Sequence, residues 1–133
     1  MSCAVRLDRY SELIVHFCMF QPEVCDRYPN GDEAYLAVDV FDHHSPEFRQ
    51  ARMRKLLDAG LSEYWALDIV DRSHTAYQDS CGRIIQTKYG QRAKVPLNTF
   101  PDVEIDLHQL FRQVAPVLGL WDTDIPCFFV QHG

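Results

Sequence analysis

The sequence lacks an apolar run long enough to cross a bilayer, and its N-terminus has no basic flank followed by a hydrophobic stretch. We therefore expect a soluble protein without a targeting segment. The five cysteines are odd in number and none has Cys-x-x-Cys spacing, so neither a disulfide framework nor a zinc ribbon is indicated. A reducing cytoplasm is the expected location.

Positive charge is also scarce, with 13 Lys and Arg against 19 Asp and Glu and a net charge of −6. This balance disfavours the broad basic surface with which stand-alone nucleic-acid binders neutralise phosphates, although it leaves room for a local groove. Arg49, Arg52, Arg54 and Lys55 fall on one predicted helix, where a solvated face is the simpler interpretation. No Gly-rich phosphate loop and no spacing typical of a catalytic nucleophile is present.

A helix with clear boundary signals follows residue 45. Ser45 can accept hydrogen bonds from the first free N–H groups, Pro46 suits the first turn, and Gly60 can supply the left-handed residue that ends the helix. One side of the helical wheel is predicted to face the core and includes a cation, Arg52, which then needs a partner. The apolar residues on that side are Phe48, Ala51, Leu56 and Ala59.

The remaining pattern predicts a mixed β-sheet with helices packed on it, of α/β or α+β class. A chain of 133 residues with 47% apolar content fits one domain over residues 1–133. Residues 119–133 form a C-terminal tail whose Trp121, Phe128 and Phe129 could dock on the core or on a partner, so a homodimer is plausible. The predicted strands are 11–20, 33–42, 63–70, 75–78 and 83–89, and a second helix covers 107–118.

Two carboxylates on neighbouring predicted strands could form a metal site. Asp39 projects from a strand face that is otherwise apolar, and Glu12 lies near the start of the preceding strand. Such a pair could bind Mg²⁺, with Arg52 or Lys55 as the nearby cation. The alternative is that Glu12 is solvated and that Asp39 and Arg52 form a structural ion pair without a metal.

Other polar residues have simpler interpretations. Asp42-His43-His44 is expected to be a polar turn, since adjacent histidines on an extended segment point to opposite sides. His16 is more often a satisfied core histidine than a ligand in such a strand. Trp65 is expected in the core, and Asp68 is expected to cap or pair near a strand end.

Between Tyr35 and Phe111 the sequence resembles the Uma-two-type restriction endonuclease family, a branch of the PD-(D/E)xK nuclease superfamily. The resemblance is carried by Val38-Asp39-Val40, Ser45-Pro46, Gly60-Leu61, Glu63-Tyr64-Trp65 with Asp68, and Val103-Glu104-Ile105-Asp106-Leu107 with Leu110-Phe111. It implies a restriction-endonuclease-like fold and Mg-dependent hydrolysis of DNA. The family's longer N-terminal part, with a helix and an acid of its own, is expected to be missing from this chain.

Position by position, the resemblance places Asp39 where the family has Glu, Glu12 where it has the Asp of Pro-Asp, and Arg52 where it has a helix lysine. Arg52 keeps the charge but cannot serve as a deprotonatable base. Two functions follow: an Mg-dependent DNA endonuclease that uses Asp39, Glu12, Arg52 and Lys55, or a catalytically degenerate domain of the same fold that dimerises or binds a partner.

Overall fold

The computed structural model describes residues 3–9, 11–24, 27–42 and 45–117. No helix in these ranges is long and apolar enough to span a membrane. The expectations for His43, His44 and the tail 119–133 lie outside the described residues. The strands are β1 (Cys3–Arg6), β2 (Glu12–Val15), β3 (Phe17–Phe20), β4 (Ala34–Phe41), β5 (Tyr64–Asp68), β6 (Ser73–Ser80), β7 (Arg83–Tyr89), β8 (Lys94–Pro96) and β9 (Glu104–Asp106), and the helices are α1 (Pro46–Asp58) and α2 (Leu107–Val117).

A five-stranded mixed sheet in the order β3-β4-β5-β6-β7 forms the centre of the fold. Only β4 and β5 run parallel within it, and α1 supplies the crossover that a parallel pair requires. The other neighbours pair antiparallel. Two small sheets, β1–β2 and β8–β9, flank it. The predicted mixed sheet with packed helices is therefore confirmed.

Apolar side chains fill both faces of the sheet. Alternate residues of β4 point to opposite sides, so that Val38 and Val40 join Trp65 in a core that includes residues of α2. On the opposite face, Ala37 joins Leu56 and other residues of α1 in a second core. Trp65 is buried, as predicted. The sheet is thus covered by a helix on each side.

The boundaries of α1 are those that the sequence predicts. The Ser45 hydroxyl accepts a hydrogen bond from the Phe48 N–H at 3.2 Å, and Pro46 occupies the first turn. Gly60 adopts a φ of +102°, the left-handed conformation expected after a helix. At the start of α2, Asp106 accepts a hydrogen bond from the His108 N–H at 3.0 Å, as expected for a cap.

The predicted inner face of α1 is partly wrong. Leu56 is fully buried as expected, but Phe48 is 43% exposed and Ala51 is exposed, while Met53 and Leu57 are buried instead. The helix is rotated because two arginines at the edge of this face pair with carboxylates of the sheet, as described below. A helical wheel that considers only apolar residues does not take these ion pairs into account.

Two further details differ from the sequence-based expectations. The predicted strand 11–20 is interrupted at His16 and contributes β2 and β3 to different sheets, and the segment 91–101, in which no strand is predicted, contains β8. Cys18 is disulfide-bonded, which the expectation of a reducing compartment did not anticipate. Cys81 is exposed and has a free thiol.

Candidate functional site

Asp39 lies in the middle of the central sheet with its carboxylate turned toward α1. Its strand, β4, has neighbours on both sides, and Asp39 is opposite Ala66 of β5 in the parallel register. The side chain is 1% exposed. A buried carboxylate is costly unless it is paired and hydrogen-bonded, so its partners determine what this position can do.

Three donor atoms occupy the two oxygens of the Asp39 carboxylate. Arg52 donates from Nε to Oδ2 at 2.6 Å and from Nη2 to Oδ1 at 3.0 Å, which is the two-point geometry typical of a strong arginine–carboxylate pair. The Tyr64 hydroxyl donates to Oδ2 at 2.6 Å. The carboxylate therefore accepts one hydrogen bond at Oδ1 and two at Oδ2, all from α1 and β5.

Arg52 is itself held by more than Asp39. Its Nη2 also donates to the carbonyl oxygen of Ile14 in β2, and its guanidinium carbon lies 5.6 Å from the centre of the Phe48 ring. The side chain is 17% exposed. Burial lowers the pKa of Arg52, but the hydrogen bonds and charge of Asp39 outweigh burial and raise it above its ordinary value. Arg52 thus joins α1 to both β2 and β4.

The ionisation of the cluster is set by competing effects. Burial raises the pKa of Asp39, but the hydrogen bonds and charge of Arg52, together with the Tyr64 hydroxyl, lower it, and the pKa lies below its ordinary value. Burial, with the neighbouring carboxylate, raises the pKa of Tyr64 above its ordinary value. Asp39 is therefore an anion at neutral pH, and Tyr64 is a neutral donor.

His16 lies at the edge of this cluster. Its Nδ1 is 3.7 Å from Asp39 Oδ1, beyond hydrogen-bond distance, and it accepts a hydrogen bond from the Val40 N–H at 3.2 Å. A ring nitrogen that accepts a hydrogen bond carries no proton of its own. Neutral His16 is therefore protonated on Nε2. With 32% of its side chain exposed, His16 is only partly the buried, satisfied histidine expected from the sequence.

A second ion pair repeats this arrangement one helical turn earlier. Arg49 Nη1 lies 2.9 Å from Asp68 Oδ2 at the end of β5. Asp68 also accepts hydrogen bonds from the N–H groups of Val70 and Asp71 at 2.8 and 3.2 Å, which confirms its predicted capping and pairing roles. Two arginines three positions apart thus connect α1 to the neighbouring strands β4 and β5.

The other two residues predicted for the site lie elsewhere. Glu12 is exposed, opposite Arg6 in the β1–β2 pair, and it lines a surface pocket of about 460 Å³ together with Arg6, Ser11 and Arg27. Lys55 is exposed in the last turn of α1. Among the hydrogen bonds and ion pairs of the described residues, none joins Glu12 or Lys55 to Asp39.

Sequence reasoning anticipated the pairing of Asp39 with Arg52 but missed Tyr64 and His16 as neighbours. Alternation along β5 was a usable signal for Tyr64, because Trp65 faces one core and its neighbour must face α1. No comparable signal existed for His16, since it lies where the predicted strand is interrupted.

The cluster does not fit a magnesium ion. Mg²⁺ needs accessible oxygen ligands in near-octahedral geometry, whereas both Asp39 oxygens face donors that an ion would have to displace. Within the described ranges, no group of three or more His, Cys, Asp and Glu side chains is arranged to hold a metal. This arrangement neutralises the buried charge of Asp39 and holds α1 against the sheet.

Comparison with known proteins adds a structural similarity to the picture. The sequence matches no family model and no curated protein. Among solved structures it is similar to a crystal structure from Anabaena variabilis described as "a putative nuclease belonging to DUF820". The identity is 15%, the TM-score is 0.49, and the match covers 58% of this chain and 43% of that chain. Similarity at this level leaves the specific family assignment unconfirmed.

Proposed function

We propose that this chain is a non-catalytic domain with a nuclease-like fold, which acts by dimerising or by binding a macromolecular partner. The observation that carries the proposal is the closed contact between Asp39 and Arg52, in which two nitrogen atoms of Arg52 occupy both carboxylate oxygens. Activity resides in a site and not in a scaffold, so a fold can persist when its site serves stability alone.

Opening this site for catalysis would be costly. Arg52 would have to leave Asp39 and the Ile14 carbonyl, and the buried carboxylate would retain only the Tyr64 hydroxyl as a hydrogen-bond donor. Separating a buried ion pair costs about 3–5 kcal/mol. A bound metal ion would have to offset that cost through a single carboxylate, because Glu12 lines a separate surface pocket.

The surroundings of Arg52 also favour a structural role. Ile14 is 65% exposed and Phe48 is 43% exposed, and both contact the guanidinium, one through its carbonyl and the other through its ring. The exposed Phe48 ring beside Arg52 offers no hydrogen bonds to a phosphodiester backbone, which proteins bind mainly through polar and basic groups. DNA binding through a local groove therefore finds little support here.

The alternative is an Mg-dependent DNA endonuclease. It is favoured by the ionised state of Asp39 beside Arg52, at positions to which the family resemblance assigns catalytic roles. In that case Asp39 and Glu12 would be the metal ligands, and Arg52 or Lys55 would stabilise the scissile phosphate. No catalytic step is derived for it, because the cluster does not fit the ion.

Plasmid nicking distinguishes the two functions. Purified protein is incubated with supercoiled DNA and Mg²⁺ or Mn²⁺, with a chelator control and with Asp39→Asn and Asp58→Asn, the latter at an exposed position of α1. We expect no cleavage by the folded wild-type chain. Cleavage that is lost with chelator and in Asp39→Asn shown by circular dichroism to be folded, but retained in Asp58→Asn, would establish the nuclease and overturn the proposal.

The proposed homodimer has its own measurement. Sedimentation velocity over a hundredfold range of protein concentration reports whether the chain associates with itself. A mass that rises toward twice 15.5 kDa with concentration supports dimerisation as the binding activity. A constant monomer mass would direct the proposal to a different partner.

A further inference from the structure

A polar cleft lies on the face of the sheet opposite Asp39, and no role has been assigned to it. It measures about 240 Å³ and opens between strands β6 and β7, Glu63 just before β5, and the segment 96–101. Ala76 and Thr87, which are direct partners in the β6–β7 pair, are both small and leave a gap between the larger side chains. Gln78 and Tyr89 border this gap. The volume suits one six-membered ring with its substituents.

One acidic side chain, Glu63, lies at the wall of the cleft and is 6% exposed, and its burial raises its pKa above the ordinary value. Its Oε1 accepts a hydrogen bond from the Asn98 N–H at 2.8 Å, and its Oε2 accepts one from Trp65 Nε1 at 2.7 Å. The carboxylate is thereby fixed in orientation. Each of its oxygens can accept a second hydrogen bond, so the group can still receive donors from a ligand.

The remaining polar groups of the cleft are neutral. Gln78 and Asn98 carry amides that can donate, and Thr87 and Tyr89 carry hydroxyls. Among the described residues that line the cleft, none is Lys, Arg or His. An anionic group would therefore meet a carboxylate without a compensating cation, which excludes phosphates and carboxylates as the recognised part of a ligand.

We propose that this cleft binds the cytosine ring, with the exocyclic amino group donating to Glu63 and the amides of Gln78 and Asn98 donating to the ring nitrogen and carbonyl. A carboxylate beside amide donors is complementary to the donor–acceptor–acceptor edge of cytosine. Uracil presents an oxygen in place of the amino group, and that oxygen would face Glu63. Tyr89, Pro96 and Pro101 offer flat surfaces for the ring, as in pockets for unstacked bases.

The ring could come from a free nucleoside or from a base in single-stranded nucleic acid. The absence of basic groups around the cleft and the net charge of −6 favour the nucleoside. This inference does not depend on the role of Asp39, because the two sites lie on opposite faces of the sheet.

The Trp65 indole N–H bonded to Glu63 provides a direct reporter. The full ¹⁵N-labelled chain is titrated with cytidine, uridine and oligo-deoxycytidine while the indole resonances are followed, and Trp121→Phe assigns the signal because the chain has two tryptophans. We expect a saturable shift with cytidine and at least tenfold weaker binding of uridine. A shift with the oligonucleotide alone would identify nucleic acid as the source of the ring.

Two variants test the location. Thr87→Leu fills the cleft and should weaken cytidine binding at least tenfold, whereas Gln86→Leu, which points to the other face of β7, should leave it unchanged. Gln78→Leu removes one proposed donor and repeats the test if Thr87→Leu alters the unliganded spectrum. No saturable shift with cytidine or the oligonucleotide, equal binding of uridine, or full binding by both cleft variants would overturn the proposal.

Discussion

Arg52 of α1 and Asp39 of β4 form a two-point ion pair, with 2.6 Å from Nε to Oδ2 and 3.0 Å from Nη2 to Oδ1. The pair joins a helix to the middle of the central sheet and is supported by the Tyr64 hydroxyl on the same carboxylate. Its burial makes each partner dependent on the other, because either charge left alone would be poorly solvated.

Asp39→Asn should therefore destabilise the fold. The substitution leaves Arg52 without its counter-charge at a largely buried position, and we expect the free energy of unfolding to fall by about 3–5 kcal/mol. Urea denaturation at pH 7 measures this. Asp58→Asn, at an exposed position of the same helix, should change the value by less than about 0.5 kcal/mol. Near-wild-type stability of Asp39→Asn would show that the carboxylate is not a structural element.

His74 should give the protein a specific pH dependence. The imidazole is completely buried between the Trp65 and Tyr89 rings, neither of its nitrogens has a hydrogen-bond partner among the described residues, and burial lowers its pKa to about 3 from 6.5. Below pH 6.5, His74 binds a proton in the unfolded chain but remains unprotonated in the folded chain until the pH approaches 3. Stability should therefore fall with decreasing pH toward 3, by about 1.4 kcal/mol per pH unit.

His74→Phe should remove this contribution. Phenylalanine has a similar flat shape and no nitrogen to desolvate, so we expect the variant to gain stability over the wild type as the pH falls from 7 to 5. Chemical denaturation of both proteins at these two pH values gives the difference. His108→Phe on α2, where the side chain is half-buried, is the matched control and should leave the wild-type pH dependence in place. Equal pH dependence in His74→Phe and the wild type would contradict the assignment.

Sequence patterns predicted the parts of the fold that depend on local chemistry. Ser45, Pro46 and Gly60 set the ends of α1 because caps and left-handed residues act within one turn. The pairing of Asp39 with Arg52 was one of two interpretations left open, since spacing alone cannot tell whether a carboxylate meets a metal or a guanidinium. Only the tertiary contact shows that the partner of Asp39 is the guanidinium of Arg52.

What the sequence did not reveal depends on contacts between distant segments. The rotation of α1 follows from Arg49 meeting Asp68 as well as Arg52 meeting Asp39, and neither distance is encoded in apolar periodicity. Glu12 was grouped with Asp39 because their predicted strands were adjacent. The interruption at His16 instead places Glu12 in the separate β1–β2 pair.

The observed orientation of α1 predicts different costs for two apolar truncations. Leu56 is fully buried, and Leu56→Ala should lower the free energy of unfolding by about 2–5 kcal/mol. Phe48 is 43% exposed, so Phe48→Ala should cost less than half as much, despite its contact with Phe41. Guanidinium denaturation of both variants measures the two values. A larger loss of unfolding free energy in Phe48→Ala than in Leu56→Ala would support the inner helix face predicted from the helical wheel.

Compared with Gly60, Gly82 and Gly90, we expect Gly31 to be the glycine that tolerates a side chain least. It opens the short 3₁₀ turn before β4, and a Cβ at this position would clash with the carbonyl oxygen of Ala59 and lie 2.7 Å from the Ala59 Cβ. Both atoms belong to the fixed end of α1, so the turn itself has to move. Gly31→Ala should cost at least about 1–3 kcal/mol in urea denaturation. Gly90→Ala, where a Cβ would meet nothing within 4 Å, should leave stability nearly unchanged, and equal effects of the two substitutions would show that the turn does not pack against α1.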